Sequence, residues 1–213
     1  MNENKGNKIV AIVALVLGAI GVTLGYAAFS NTLKIKSSAE VKPASTAFNV
    51  DFSSSSSAVE TNNITPTLNK TAEGFTATDA TINNTADPLV SNLKATFTEP
   101  GQSATYSFYA YNAGEFVAYL NSIVFSGSKT CTAKEGTTQS LVDSACTGIK
   151  LSAKVGSEPA TETSIASITD HTLAKNASEP VVVVLSYEDG SAVADGDFDV
   201  SFPDITLTYE SAD

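Results

Sequence analysis

The sequence predicts an all-β protein: an antiparallel β-sandwich, jelly-roll or Ig-like, preceded by an N-terminal apolar helix. Three observations carry this reading. An uncharged apolar run occupies Ile9 to Phe29. Period-two alternation recurs from Phe29 to the C-terminal end. Beyond the apolar run, no stretch of about 11 residues or more keeps a helical period.

The apolar run, IVAIVALVLGAIGVTLGYAAF, is 21 residues long, enough to cross a bilayer as a helix. Lys5 and Lys8 precede it and supply the positive flank expected on the cytoplasmic side, so the remainder of the chain is expected outside. Two readings compete. A cleaved signal would use Ile9 to Ile20 as its core, with cleavage between Ala27 and Ala28 placing Gly25 and Ala27 at −3 and −1. An uncleaved membrane anchor is the alternative, because the run is long for a signal.

Directly after it, FSNTLKIK puts Phe29, Leu33 and Ile35 on one face and Ser30, Thr32, Lys34 and Lys36 on the other, the pattern of a half-buried strand. FNVDF alternates Phe48, Val50 and Phe52 before Ser53 to Ser57, a run that reads as a loop or flexible turn. GFTATDATI is Thr-rich and alternating. Leu93, Ala95 and Phe97 mark a strand, Pro100-Gly101 a tight turn, and Tyr106 and Phe108 the next strand. Asn112 and Gly114 predict a further turn through tolerance of positive φ, and a strand through Val117 and Tyr119 to Phe125 follows. Ile149, Leu151, Ala153 and Val155 alternate, and Val181 to Tyr187 is apolar on both faces, as in a central strand. At the end Phe198, Val200 and Phe202 alternate, then Ile205, Leu207 and Tyr209. The phase slips at Pro203-Asp204, where a bulge is expected. About eight to ten strands result.

Composition narrows the function. The 213 residues carry 12 basic side chains, all Lys, against 23 Asp and Glu, for a net charge of −11. An Arg-free acidic chain without a basic patch argues against nucleic acid as a partner. Cys131 and Cys146 are too few for a structural zinc site, and in an exported chain they are expected to form a disulfide closing a loop. No nucleophile elbow, HExxH, Walker loop or dinucleotide fingerprint occurs. The single His171 has Asp170 beside it, which is not triad geometry, and it is expected as a surface-loop histidine. No catalytic residue and no cofactor is therefore expected.

Two weaker candidates remain from the residues alone. Glu188, Asp189, Asp195, Asp197 and Asp199 crowd a Gly-containing stretch with oxygen ligands suited to calcium, but the spacing matches no EF-hand loop. An ordinary hairpin is the preferred reading there. Tyr109, Tyr111 and Tyr119, if exposed, would form an aromatic platform for a glycan, though buried strand tyrosines explain them as well.

The stretch GYAAFSNTLKI resembles the signal-to-mature junction of the TasA/camelysin family of Gram-positive surface and biofilm-matrix proteins. FTEPGQSATYSFYAYNAGEFVAYL is similar to a second hallmark of that family, a Pro-Gly-led strand pair followed by an Asn-x-Gly turn and an apolar strand. The resemblance covers the first 40 residues and about Leu93 to Leu120. It implies export, a jelly-roll fold, and self-assembly into fibres in which the N-terminal strand of one subunit fills a groove in the next. The donor would run from Ala28 to about Lys36, with Phe29, Leu33 and Ile35 inserting. Pairing of that strand within its own subunit is the alternative. Camelysin-type members are described as metalloproteases, but one His and no paired-His helix supply no zinc ligand set here. The Cys pair and the serine run also depart from the family pattern.

The organisation expected is a signal peptide or membrane anchor over 1–27, a candidate donor strand over 28–40, and a sandwich domain over 41–213. The function expected is a non-enzymatic fibre subunit of the cell surface or extracellular matrix, meeting the membrane during export or as an anchor. A membrane-anchored monomeric adhesin or glycan binder, and a pilin-like subunit that keeps its apolar helix, are the alternatives.

Overall fold

The computed structural model of the chain describes residues 48–70, 72–85 and 88–211, together with the strand formed by 29–40. The apolar run up to residue 28, with Gly25, Ala27 and Ala28, lies outside the described residues. No helix among the described residues is long and apolar enough to cross a membrane.

The strands in chain order are β1 (Phe29–Glu40), β2 (Val50–Ser53), β3 (Thr67–Leu68), β4 (Thr76–Thr78), β5 (Thr81–Asn83), β6 (Leu89–Thr96) and β7 (Ser103–Asn112). Then come β8 (Ala118–Ser126), β9 (Thr130–Ala133), helix α1 (Gln139–Cys146), β10 (Ile149–Val155), β11 (Thr172–Leu173), β12 (Ser178–Tyr187), β13 (Phe198–Ser201) and β14 (Asp204–Ser211). The chain is thus all-β, as expected, with more strands than alternation alone suggests. Pieces of two to four residues such as β3, β4, β5 and β11 are too short to show a period. Helix α1, eight residues long, escapes the periodicity test for the same reason.

Two sheets share one buried core. The smaller runs β10-β12-β7-β2, with β3 also on β7. Its centre is the antiparallel pair β7–β12, in register from Ser178↔Tyr111 to Ser186↔Ser103. Val181, Val183, Leu185 and Tyr187 of β12 and Ala104, Tyr106, Phe108 and Ala110 of β7 are buried, while Val182 and Val184 are half-buried on the outer side. The β-branched run therefore serves a central strand. The larger sheet runs β11-β8-β14-β1-β13-β9, with β6 also on β1 and β4 and β5 on β6.

Inside the core, Phe52 and Phe108, both from the smaller sheet, meet edge-on with centroids 5.3 Å apart, and Phe75 stacks on Phe97 at 5.7 Å. Tyr106 links the layers by a polar contact. Its hydroxyl accepts from Lys94 N at 3.0 Å and faces the carbonyls of Lys94 and Thr78 at 2.8 and 2.9 Å. Burial pushes its pKa up to about 12, so it stays a neutral donor. The Pro100-Gly101 turn is as expected, with Gly101 at φ +87.

Along β8, Val117 and Tyr119 face outward and Ala118 and Leu120 inward. The phase shifts through a bulge, because Tyr209 pairs with Leu120 but Thr208 with Ser122. Three expectations are corrected. Asn112 has no positive φ; its buried side-chain amide makes the turn instead, donating to Phe116 O and Leu173 O and accepting from Gly114 N. Ser53 is no part of a flexible turn: its buried hydroxyl donates to Ala58 O at 2.7 Å and accepts from Ser55 N and Glu60 N. Finally, residues 188–197 do not close a hairpin, since β12 and β13 belong to different sheets. The Asp-Gly turns there carry the chain across the edge of the core.

Replacing Phe52, 1% exposed, by Ala is expected to cost about 3–5 kcal/mol through the cavity left beside Phe108. Tyr119→Ala, on the outer face, should change stability by no more than about 0.5 kcal/mol. Urea unfolding checks both: the first variant tests the core position of Phe52, the second the outward phase of Tyr119 on β8.

Candidate functional site

Strand β1 occupies a slot that no other strand fills. On one side it runs antiparallel to β6, pairing Leu33↔Leu93, Ile35↔Val90 and Lys36↔Leu89. On the other it runs parallel to β13, from Phe29↔Phe198 to Thr32↔Ser201, and then to β14, from Ile35↔Ile205 to Glu40↔Glu210. Between these two stretches the C-terminal chain uses one residue more than β1 does, which is the bulge expected at Pro203-Asp204. Positions 29, 31, 35, 37 and 39 of β1 stand in register with Phe198, Val200, Ile205, Leu207 and Tyr209, all buried. The slot therefore reads alternate positions, as an inserted strand requires.

These parallel pairings stand apart, because every other strand pairing among the described residues is antiparallel. Parallel neighbours cannot be joined by a tight turn. Here β1 and β14 come from opposite ends of the chain. The covalent link from β1 into the core is the segment 41–49, which leads to β2 in the other sheet.

A second polar feature lies beside the end of β1. His171, expected on the surface, is buried at 7% exposure and held between two carboxylates. Nδ1 is 2.8 Å from Glu158 Oε1, and Nε2 meets Glu179 Oε2. The hydroxyl of the buried Tyr209 donates to Glu179 Oε1 at 2.6 Å. With both carboxylates ionised, each ring nitrogen has an acceptor to donate to, which favours the imidazolium form. Burial by itself would lower the His171 pKa, but the hydrogen bonds and charges of Glu158 and Glu179 outweigh it and the net shift is upward. Burial, together with the Glu179 charge and hydrogen bond, pushes Tyr209 well above the usual tyrosine range. Gly156, at φ +53, leaves room for this packing, because a Cβ there would overlap Glu179 Oε2 and come within 2.9 Å of His171 Cε1.

A signal for this cluster was present in the sequence. Glu179 falls on the inward phase of β12, with Val181, Val183, Leu185 and Tyr187, and an inward charge on a central strand demands a partner.

Cys131 on β9 and Cys146 at the end of α1 are paired, with Cα atoms 6.1 Å apart. The loop they close is structured. Gln139 bridges to β9 through Ala133 N and Cys131 O, and Val142 and Ala145 of α1 are buried. Lys129 donates to the carbonyls of Cys146, at 2.5 Å, and of Ile149, at the helix C-terminus where a cation is favoured. Burial, and then the nearby Lys150 charge, lower the Lys129 pKa.

The acidic residues disperse to separate partners. Asp195 accepts from Thr138 N at 2.9 Å and from Thr138 Oγ1 at 2.6 Å, bonds that lower its pKa. Asp199 pairs with Lys134 at 3.1 Å, and Glu188 lies 4.0 Å from Lys150. Among the described residues no three His, Cys, Asp or Glu side chains gather to hold a metal ion. The tyrosines do not form one platform either, since Tyr109 and Tyr111 lie on the smaller sheet and Tyr119 on the larger. A cleft of about 370 Å³ opens between Phe125, Lys150, Leu151, Glu162, Phe202 and Pro203, with Lys150 and Glu162 3.7 Å apart.

No protein-family model, no curated protein and no solved structure matches this chain.

Replacing both cysteines by Ser is expected to cost about 3 kcal/mol, as for a cross-link closing a loop of about 15 residues. Thermal unfolding of that variant, compared with the parent protein under oxidising and reducing conditions, checks it: reduction should lower the parent's Tm and leave the variant's unchanged.

Proposed function

We propose that this chain is a non-enzymatic, exported subunit of cell-surface or extracellular-matrix fibres, of the TasA/camelysin type, built on a jelly-roll sandwich and assembled by N-terminal strand donation. The observation that carries this reading is the parallel insertion of β1 between β6 and β14. A strand that passes from its own slot to a neighbour's, while another subunit's β1 takes its place, leaves each larger sheet complete. The nine residues 41–49 have a contour of roughly 30 Å, long enough to span a contact between subunits. The same backbone hydrogen bonds and alternate positions serve either pairing, so exchange costs little in contacts and is driven by protein concentration.

A second reading is supported by the pairing within a single chain. A monomer that keeps 1–27 as a membrane anchor, with β1 as a permanent strand, would present the domain as an adhesin or glycan-binding module at the cell surface.

Sequencing the N-terminus of the mature protein separates the two: a start at Ala28 is expected for strand donation, and a start at Met1 for the anchor. Deleting 28–36 is expected to abolish fibres seen by electron microscopy while a folded domain remains by circular dichroism. A synthetic peptide of residues 28–40 should bind that truncated domain. Fibres that persist after the deletion would refute strand donation.

A further inference from the structure

The cluster Glu158–His171–Glu179–Tyr209 gathers side chains from the turn after β10, the segment before β11, β12 and β14. Glu158 lies in the turn after β10, and Glu179 on β12 in the smaller sheet. His171 precedes β11, and its carbonyl accepts from Leu120 N on β8 at 3.1 Å. Tyr209 is on β14, in register with Ala39 of β1 on one side and with Leu120 on the other. The hydrogen bond from Tyr209 to Glu179 thus ties the wall of the β1 slot to the opposite sheet, at the end where β1 leaves for 41–49.

We propose that this cluster is a proton-controlled latch on the β1 slot: while His171 is protonated it clamps β14 against the smaller sheet, and loss of that proton frees the 35–40 end of β1 to exchange. The stereochemistry gives the reason. A neutral imidazole has one N–H, so on deprotonation one ring nitrogen turns a lone pair toward a carboxylate oxygen. Glu158 and Glu179 then face each other across a buried ring without the cation between them, and an unpaired buried charge is strongly destabilising. Glu179 is the carboxylate that holds Tyr209, so the disturbance passes directly to β14.

Among the described residues, the charges acting on His171 are those of Glu158 and Glu179; β8 faces it through a backbone amide. Because the folded-state pKa of His171 lies above its ordinary 6.5, the latch is complete below about pH 6.5 and is lost as pH rises through the raised value. Tyr209, shifted upward, stays neutral throughout that window. Lys129, shifted downward, adds stability with rising pH, so the informative quantity is the difference between variants. As a regulator of strand donation the latch rests on the function proposed above, but its action on β1 within one chain does not.

The test is hydrogen exchange of the purified protein between pH 6 and pH 9.5, corrected for intrinsic amide rates, on peptides covering 35–40 and 205–211. Protection is expected to fall about tenfold or more across the window there, and to stay level at 198–201, beside the start of β1. In Glu179→Gln the step should shrink and move toward the ordinary histidine range. In Tyr209→Phe the melting temperature should keep its His171-dependent slope while protection of 35–40 no longer depends on pH. The conservative Tyr209→Phe keeps the test decisive if Glu179→Gln fails to fold. Protection that is flat with pH in the parent protein, or the same step in Tyr209→Phe, would overturn the latch. If the peptide 28–40 never enters the truncated domain at any pH while the protection step remains, strand donation fails and the latch stands. If the peptide enters at a pH-independent rate, the latch fails and strand donation stands.

Discussion

The larger sheet depends on the backbone hydrogen bonds of β1. Remove that strand and the sheet divides into three pieces: β11-β8-β14, β13-β9, and β6 with β4 and β5. Among the described residues these pieces have no other strand pairing with one another, and β6 and β14 would each present a bare edge. Unpaired edges attract another strand, because buried N–H and C=O groups must find partners. The slot is thus a demand for one extended segment, and β1 fills it.

The two sheets are fastened to each other differently. Apolar packing supplies the bulk of the adhesion, as where Phe97, just past β6, meets Tyr187 of β12, but hydrophobic contact is non-directional and tolerates sliding. Two buried tyrosine hydroxyls define the alignment. Tyr106 reaches from the smaller sheet to Lys94 and Thr78, and Tyr209 reaches from the larger sheet to Glu179. One of these contacts is neutral and insensitive to pH. The other ends on a carboxylate shared with a histidine, so it alone carries a proton switch. A well-packed apolar substitute would often serve stability as well as a buried ion pair.

Much of this was legible along the chain, residue by residue. Alternation located the core positions of β6, β7, β10, β12 and β14, because a half-buried strand imposes period two on its own sequence. The slip at Pro203-Asp204 was legible for the same reason, and so was the cysteine pair. What failed shares one cause. Phase within β8 was not legible because Val117 and Tyr119 are as apolar as the inward residues, and only pairing with Tyr209 selects Ala118 and Leu120. His171 looked exposed because its partners lie 13 and 8 residues away, in other elements. The stretch 188–197 looked like a hairpin because a turn signal reports a reversal and not which sheet receives the next strand.

By itself, then, the sequence determined which residues extend, which faces they bury, and that the segment after the apolar run is a strand awaiting a partner. Only the tertiary structure decided where that strand goes, with β6 on one side and the two C-terminal strands running parallel on the other. The physical reason is that alternation is a local property of a pleated backbone, whereas pairing depends on which edges the rest of the fold leaves open. The same division holds for the buried histidine: the ring is written in the chain, but its charge follows from two carboxylates that folding brings to it.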